Sequence, residues 1–312
     1  MLFLDGVGIG RKDPGVNPFF AARLPALRSI LDGELPSLRN RTFASSHALS
    51  IPLDATLGVP GLPQSGTGQT ALFTGVNAAR LIGKHFGPYP YSTLRPTIER
   101  RSLFRRLLEG GKTCCFANAF PQRFFDYASR NGTRLTVTTL SCRYAGVPLK
   151  GADELERGEG ISADLTNAGW RDLGYPEMEI IEPAEAGRRL AALSRRHDFV
   201  LFEYWKTDHA GHAKNREEAI QVLEKFDRFL VGILEGIDSG ETLLIITSDH
   251  GNLEDASVKT HTRNPVSLIL YGHPRHRFLS LVEGSSSSKP DLCLVTPTLL
   301  RLMETEPPVT PD

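Results

Sequence analysis

The stretch Thr247-Ser248-Asp249-His250-Gly251-Asn252-Leu253-Glu254, continued by Lys259-Thr260-His261-Thr262-Arg263-Asn264-Pro265, decides how the chain is read. An apolar run, Leu243-Leu244-Ile245-Ile246, leads into it and has the length and composition of a buried strand. That strand delivers Asp249 and His250, two side chains that bind metal when deprotonated. Eleven residues on, His261 stands on a loop that closes at Pro265, before a second apolar run, Val266-Ser267-Leu268-Ile269-Leu270-Tyr271. Ligands at the end of one strand and on the loop before the next converge above one sheet edge, where open α/β sheets bind ligands. Taken alone, Asp249 and His250 also fit a plainer role, as strand-end polar residues bonded to turn backbone. The rest of the chain decides between the two.

Outward from this stretch, other strand ends carry similar residues. Met1 to Leu4 is apolar and stops at Asp5-Gly6-Val7-Gly8-Ile9-Gly10. A dinucleotide fingerprint needs a helix directly after such glycines, and Arg11-Lys12-Asp13-Pro14-Gly15 is a loop instead. Asp5 is therefore a candidate metal ligand, or else a turn cap. The run Asp198-Phe199-Val200-Leu201-Phe202-Glu203-Tyr204-Trp205 reads as a central strand feeding Lys206-Thr207-Asp208-His209-Ala210-Gly211-His212. Asp208 and His212, four apart, share a face if a helix begins there. In Gly66-Thr67-Gly68-Gln69-Thr70-Ala71-Leu72-Phe73-Thr74-Gly75, small residues surround a hydroxyl at the start of a short helix. Thr67 reads as an N-cap, or as a nucleophile at a helix end whose N–H groups and dipole favour an anion.

The remaining pattern is that of an α/β protein. Helices are expected over 17–31, capped by Asn17 with Pro18 in the first turn, and over 92–108, 183–196, 215–237 and 291–303. A further strand is expected over 112–119. Residues 120–176 look looser, with one strand candidate at 134–140, no strong helix and several arginines; they are the candidate insertion or cap. The expected catalytic core is 1–119 with 177–312. Gly284 with Ser285 to Ser288 reads as a mobile loop, and 304–312 as a frayed tail.

Composition narrows the function classes. The chain has 312 residues, 40% hydrophobic and 23% charged, enough for a filled core of one large domain or two ordinary ones. Lys plus Arg and Asp plus Glu each number 36, so net charge gives no reason to expect a nucleic-acid polymer or a membrane as partner. Four cysteines without CxxC spacing read as buried thiols. No stretch reaches the length of a membrane span, and Met-Leu-Phe-Leu-Asp is no signal peptide, so the expected location is cytoplasmic.

Asp5, Thr67, Asp208, His212, Asp249, His250 and His261 together suit two divalent ions sharing one nucleophile. With Leu4-Asp5-Gly6, the glycine-rich stretch from Gly66 to Gly75, Asp208 to His212, Ser248 to Glu254, Thr260 to Val266 and Thr296-Pro297-Thr298-Leu299-Leu300, the chain resembles the metal-dependent alkaline phosphatase superfamily. Within it, the resemblance is to the cofactor-independent phosphoglycerate mutases and phosphopentomutases. It implies an alkaline phosphatase-like core: a mostly parallel sheet with helices on both faces and a small insertion. It further implies that Asp5, Thr67, Asp249 and His250 hold one ion, and Asp208, His212 and His261 the other. Thr67 would then be the nucleophile, transiently phosphorylated. The mixed nitrogen and oxygen donors suit Zn2+ or Mn2+ better than Mg2+.

Three departures bear on activity. Phosphoglycerate mutases present serine where Thr67 is placed. The sulfatase signature, Cys or Ser before x-Pro-x-Arg, is absent. The chain is also shorter than those mutases, with only 120–176 to act as their sugar-acid domain. The leading expectation is a hydrolase of phosphomonoesters or phosphodiesters acting on a small phosphorylated substrate. A phosphomutase is the alternative within enzymes, and a metal-stabilised binding protein without catalysis the alternative outside them. Arg80, Lys84, Arg123, Lys206 and Arg263 are the candidate substrate contacts, each otherwise a solvated surface charge.

Overall fold

All residues of β1 (Leu2–Leu4), β5 (Phe199–Tyr204) and β6 (Leu244–Thr247) are buried, as expected of apolar strands covered on both faces. The computed structural model that establishes this describes residues 1–130, 133–284 and 289–304. With β4 (Cys114–Phe116) these strands form a parallel core, Leu2 lying opposite Ile246 on one side and Phe202 on the other. Past β6 the sheet continues through β7 (Val266–Tyr271), β3 (Ala48–Leu53) and β2 (Phe43–Ala44), all joined antiparallel. The seven-stranded order is β2-β3-β7-β6-β1-β5-β4. The fold is thus the expected one, with its antiparallel pairings gathered at one margin.

Alternation along the strands separates two cores. Leu2, Leu4, Phe202, Tyr204, Leu244 and Ile246 face one side; Phe3, Phe199, Leu201, Ile245 and Leu268 face the other. The first side is covered by α1 (Pro18–Ala21), α2 (Pro25–Ile30), α10 (Pro183–Ser194) and α12 (Arg216–Gly236). Helices α3 (Ser65–Thr74), α5 (Arg95–Arg101), α6 (Leu103–Glu109), α8 (Val137–Ala145), α13 (Arg275–Glu283) and α14 (Val295–Glu304) cover the second. Shorter elements complete the chain: α4 (Ala78–Ile82), α7 (Gln122–Arg130), α9 (Ala152–Glu156) and α11 (Lys206–Ala213).

Several expected helices stand with adjusted ends. Asn17 caps α1 by accepting from Phe19 N–H, but extended Ala22 and Pro25 split 17–31 into two helices. Extended Ser102 likewise divides 92–108. The strand expected over 134–140 is overturned. Val137–Ala145 is helix α8, started by Thr136, which accepts from Thr139 N–H, and ended by Gly146 at φ 77°. Its β-branched start is packed against α3, α5 and α6, and tertiary burial outweighs the strand preference of such residues. Helix α7 also stands where no helix was expected.

Residues 120–176 share their apolar side chains with the main cores. Leu135, Val137, Leu140, Cys142 and Val147 join the second core, Ile161 and Leu165 the first. A smaller cluster holds Ala119, Leu155, Trp170 and Met178. The expected mobile loop and frayed tail lie outside the described residues apart from Gly284 and Glu304. Among the described residues no helix is long and apolar enough to cross a membrane.

Candidate metal centre

The topology brings the chemistry to one edge. β1, β5 and β6 are parallel, so Asp5, Asp208, Asp249 and His250 all follow strand ends on the same side. β7 runs the opposite way, so the loop bearing His261 reaches its start at that edge. Thr207 Oγ fastens the start of α11 there, donating to Asp5 O at 2.6 Å and Tyr204 O at 2.8 Å. Gly6, at φ 69°, turns the chain away from Asp5 with Asp208 packed where a side chain would stand.

Two groups of three side chains each converge closely enough to hold a metal ion: Asp5, Asp249 and His250, and Asp208, His212 and His261, each within 4.8 Å. His212 Nε2 lies 3.3 Å from Asp208 Oδ2 and 3.2 Å from His261 Nε2. The groups abut, because the His250 and His261 rings stack with centroids 3.9 Å apart. All six proposed ligands are therefore in one place. Asp5 Oδ1 and Asp249 Oδ2 are buried and form no hydrogen bond, although His250 Nε2 lies 3.4 and 3.7 Å away respectively. Buried carboxylate oxygens left this way fit a cation, whose charge would replace the missing hydrogen bonds.

Electrostatics points the same way. Burial pushes Asp5 up to about 8, reinforced by Asp249, and burial likewise raises Asp249. Burial works against charge on His250, yet Asp249 and Asp5 outweigh it and hold the imidazole up to about 10. His261 is pushed down to about 4 by burial and then by His250. Its Nδ1–H donates to Pro63 O at 2.7 Å, which turns the Nε2 lone pair toward Asp208 and His212.

Supporting groups that the sequence reading did not single out hold these ligands. Asn252 Nδ2 donates to Asp208 Oδ1 at 2.7 Å. The Glu254 carboxylate accepts from Gly8 N–H, Asn252 N–H, Asn264 Nδ2 and the Thr262 hydroxyl, tying three segments together. A buried acidic residue beside the proposed ligands was visible in sequence; its four donors were not, because Gly8 comes from the far end of the chain and the loop must fold back to bring Thr262 and Asn264 to it.

The hydroxyl is where expectation and geometry part. Thr67 is fully buried; its Oγ donates to Gln64 O at 3.1 Å and accepts from Phe86 N–H at 3.3 Å. It is not the helix cap, since Gln64 holds that position without a side-chain bond. Ser65 Oγ instead lies 3.0 Å from His250 Nε2. Two residues of α-helix are about 200° of rotation, so Ser65 and Thr67 face nearly opposite ways. The glycines around them permit close approach: a Cβ at Gly68 would stand 2.8 Å from Asp249 O, and one at Gly66 would strike Tyr89 O. Sequence alone presented both hydroxyls, and only the helix phase separates them.

The substrate-contact candidates are scattered. Arg80 and Arg123 are exposed on α4 and α7. Lys84 Nζ sits 5.8 and 5.4 Å from the Phe86 and Tyr91 ring centres. Arg263 Nε donates to Gly61 O, and Lys206 Nζ lies over the Trp205 ring.

Residues 174–307 match the family model described as Metalloenzyme superfamily. The resemblance to alkaline phosphatase superfamily metalloenzymes holds. That span contains five of the six candidate metal ligands, Asp208, His212, Asp249, His250 and His261; Asp5, Ser65 and Thr67 lie before it. A 2,3-bisphosphoglycerate-independent phosphoglycerate mutase from Thermomicrobium roseum is 33% identical over 135 residues, 41% of this chain and 25% of that protein. One from Thiobacillus denitrificans is 35% identical over 136 residues, with the same shares. The matched stretch is thus a quarter of these relatives' length. In fold, the PH0037 protein from Pyrococcus horikoshii aligns over 99% of this chain and 97% of its own, with a TM-score of 0.57 at 13% identity.

Proposed function

We propose that the protein is a two-metal phosphoryl-transfer enzyme acting on a small phosphorylated substrate, with Ser65 as the nucleophile. The observation that carries this is the Ser65 Oγ contact with His250, the residue at which the two ligand groups meet. The reading replaces Thr67, whose hydroxyl is engaged by Gln64 and Phe86. It also removes one departure from the phosphoglycerate mutases, since a serine then occupies the position. Divalent ions, when bound, would activate the hydroxyl and neutralise phosphate charge. Asp5, Asp249 and His250 would hold one, and Asp208, His212 and His261 the other. Zn2+ or Mn2+ fits the three imidazoles and three carboxylates.

The chain's own residues position the reaction. Helix α3 presents Ser65 in its first turn, and Asn252 and Glu254 fix the loops around it. As the Ser65 Oγ–phosphorus bond forms, the bond to the leaving oxygen breaks; the hydroxyl proton of Ser65 passes to water, and the leaving oxygen takes a proton from water in exchange. Attack by a second water at the same phosphorus returns Ser65 and releases phosphate. Hydrolysis is favoured over back-transfer because 120–176, the candidate cap, is packed into the main cores rather than standing apart to enclose a product. The relatives named as mutases support the second reading, a phosphomutase.

The test uses zinc- or manganese-loaded protein, a panel of phosphomonoesters and phosphodiesters, and acid quench. Phosphate should be trapped on Ser65, and Ser65→Ala should eliminate turnover. Phosphate trapped on Thr67, or a fully active Ser65→Ala protein, would overturn the assignment. Release of inorganic phosphate separates hydrolase from mutase.

A further inference from the structure

We infer that Trp205, with His209 and Lys206, is a platform that stacks on a flat conjugated ring of the substrate, the chemistry a nucleobase or aryl phosphate ester presents. This rests on the phosphoryl-transfer reading of the neighbouring site and deepens it to a substrate class. Helix α11 sets the geometry. At 100° per residue, Trp205, Asp208, His209 and His212 fall on one face, spaced i, i+3, i+4 and i+7. The face that carries two proposed ligands therefore continues into an aromatic surface within one turn.

That surface is open. Trp205 is 41% exposed, and His209 and His212 are exposed as well. The Trp205 and His209 rings meet edge to face, 6.3 Å between centroids. Single exposed aromatics are common and need no explanation. This one is part of a contiguous ring surface beside the metal ligands. Lys206 Nζ lies 4.8 Å from the indole centre, placing a cation beside the exposed ring. Positive charge next to a stacking surface suits an anionic ester whose leaving group is aromatic.

The chain has two tryptophans, and the other, Trp170, is buried with its Nε1 bonded to Ser162 Oγ. Emission from Trp205 can therefore be isolated in a Trp170→Phe protein. Phenyl phosphate and cyclohexyl phosphate, alike in charge and near in size, are titrated into zinc-loaded protein. Calorimetry on wild type and Trp205→Ala accompanies fluorescence on Trp170→Phe. Phenyl phosphate should quench Trp205 emission and bind about tenfold more tightly than cyclohexyl phosphate. Trp205→Ala should erase the preference, and Trp205→Phe should restore most of it. Equal affinities in wild type, or a preference that survives Trp205→Ala, would overturn the inference. Turnover in the same samples separates the two readings: lost turnover with the preference intact strikes the phosphoryl-transfer reading alone. Turnover without the preference strikes the platform alone.

Discussion

At the scale of single residues, Ser65 and Thr67 make opposite predictions. Thr67→Ala should lower stability by about 1 kcal/mol, because the part-buried Phe86 N–H loses its acceptor, while turnover per folded molecule stays near wild type. Melting curves and rates on one preparation check this. Glu203 offers a separate prediction. It is buried on β5 and accepts from the Thr138 hydroxyl at 2.5 Å. Burial pushes its carboxyl up to about 8, against the pull of that bond and with the help of Asp5. Between roughly pH 4.5 and 8 the folded chain keeps a proton that the unfolded chain has released, so this contribution is full at acid pH and lost as pH rises to 8. The slope reaches at most about 1.4 kcal/mol per pH unit. Glu203→Gln keeps an acceptor for Thr138 and should remove the Glu203 share of the slope, leaving that of Asp5, which titrates over the same range. Denaturation midpoints across that range would test it, and an unchanged pH profile would contradict it.

At the scale of elements, the loop from Gly251 to Asn264 is organised by one carboxylate. All four groups around Glu254 are donors, so Glu254→Gln turns an amide N–H toward at least one of them. The expected result is a metal affinity 10–100-fold weaker with the fold retained, measured by zinc titration. Most elements were legible in sequence: the short, largely apolar runs at β1, β5 and β6 read as buried strands, and Asn215 and Asn17 marked helix starts. What was not legible depended on packing or phase. Thr136-Val137-Thr138-Thr139 has the residues of a strand and is a helix because its neighbours bury it. The convergence of the six proposed ligands was legible because most of them follow strand ends. The choice between two hydroxyls required knowing that Ser65 begins α3.

For the whole molecule, the carboxylates at one sheet edge should make stability depend on metal. Burial holds both Asp5 and Asp249 above their ordinary range, with Asp249 adding to the effect on Asp5 and Asp208 to that on Asp249. A cation bound only by the folded chain should raise the melting temperature with concentration by mass action, and chelator should reverse the shift. Equal melting curves with zinc, manganese or chelator would argue against that coupling. The most direct measurement is anomalous diffraction from crystals grown with zinc or manganese. The account predicts two peaks about 3.5–4 Å apart, one among Asp5, Asp249 and His250 and the other among Asp208, His212 and His261, with Ser65 Oγ beside the first. A single peak, or ions bound elsewhere with both groups left empty, would contradict it.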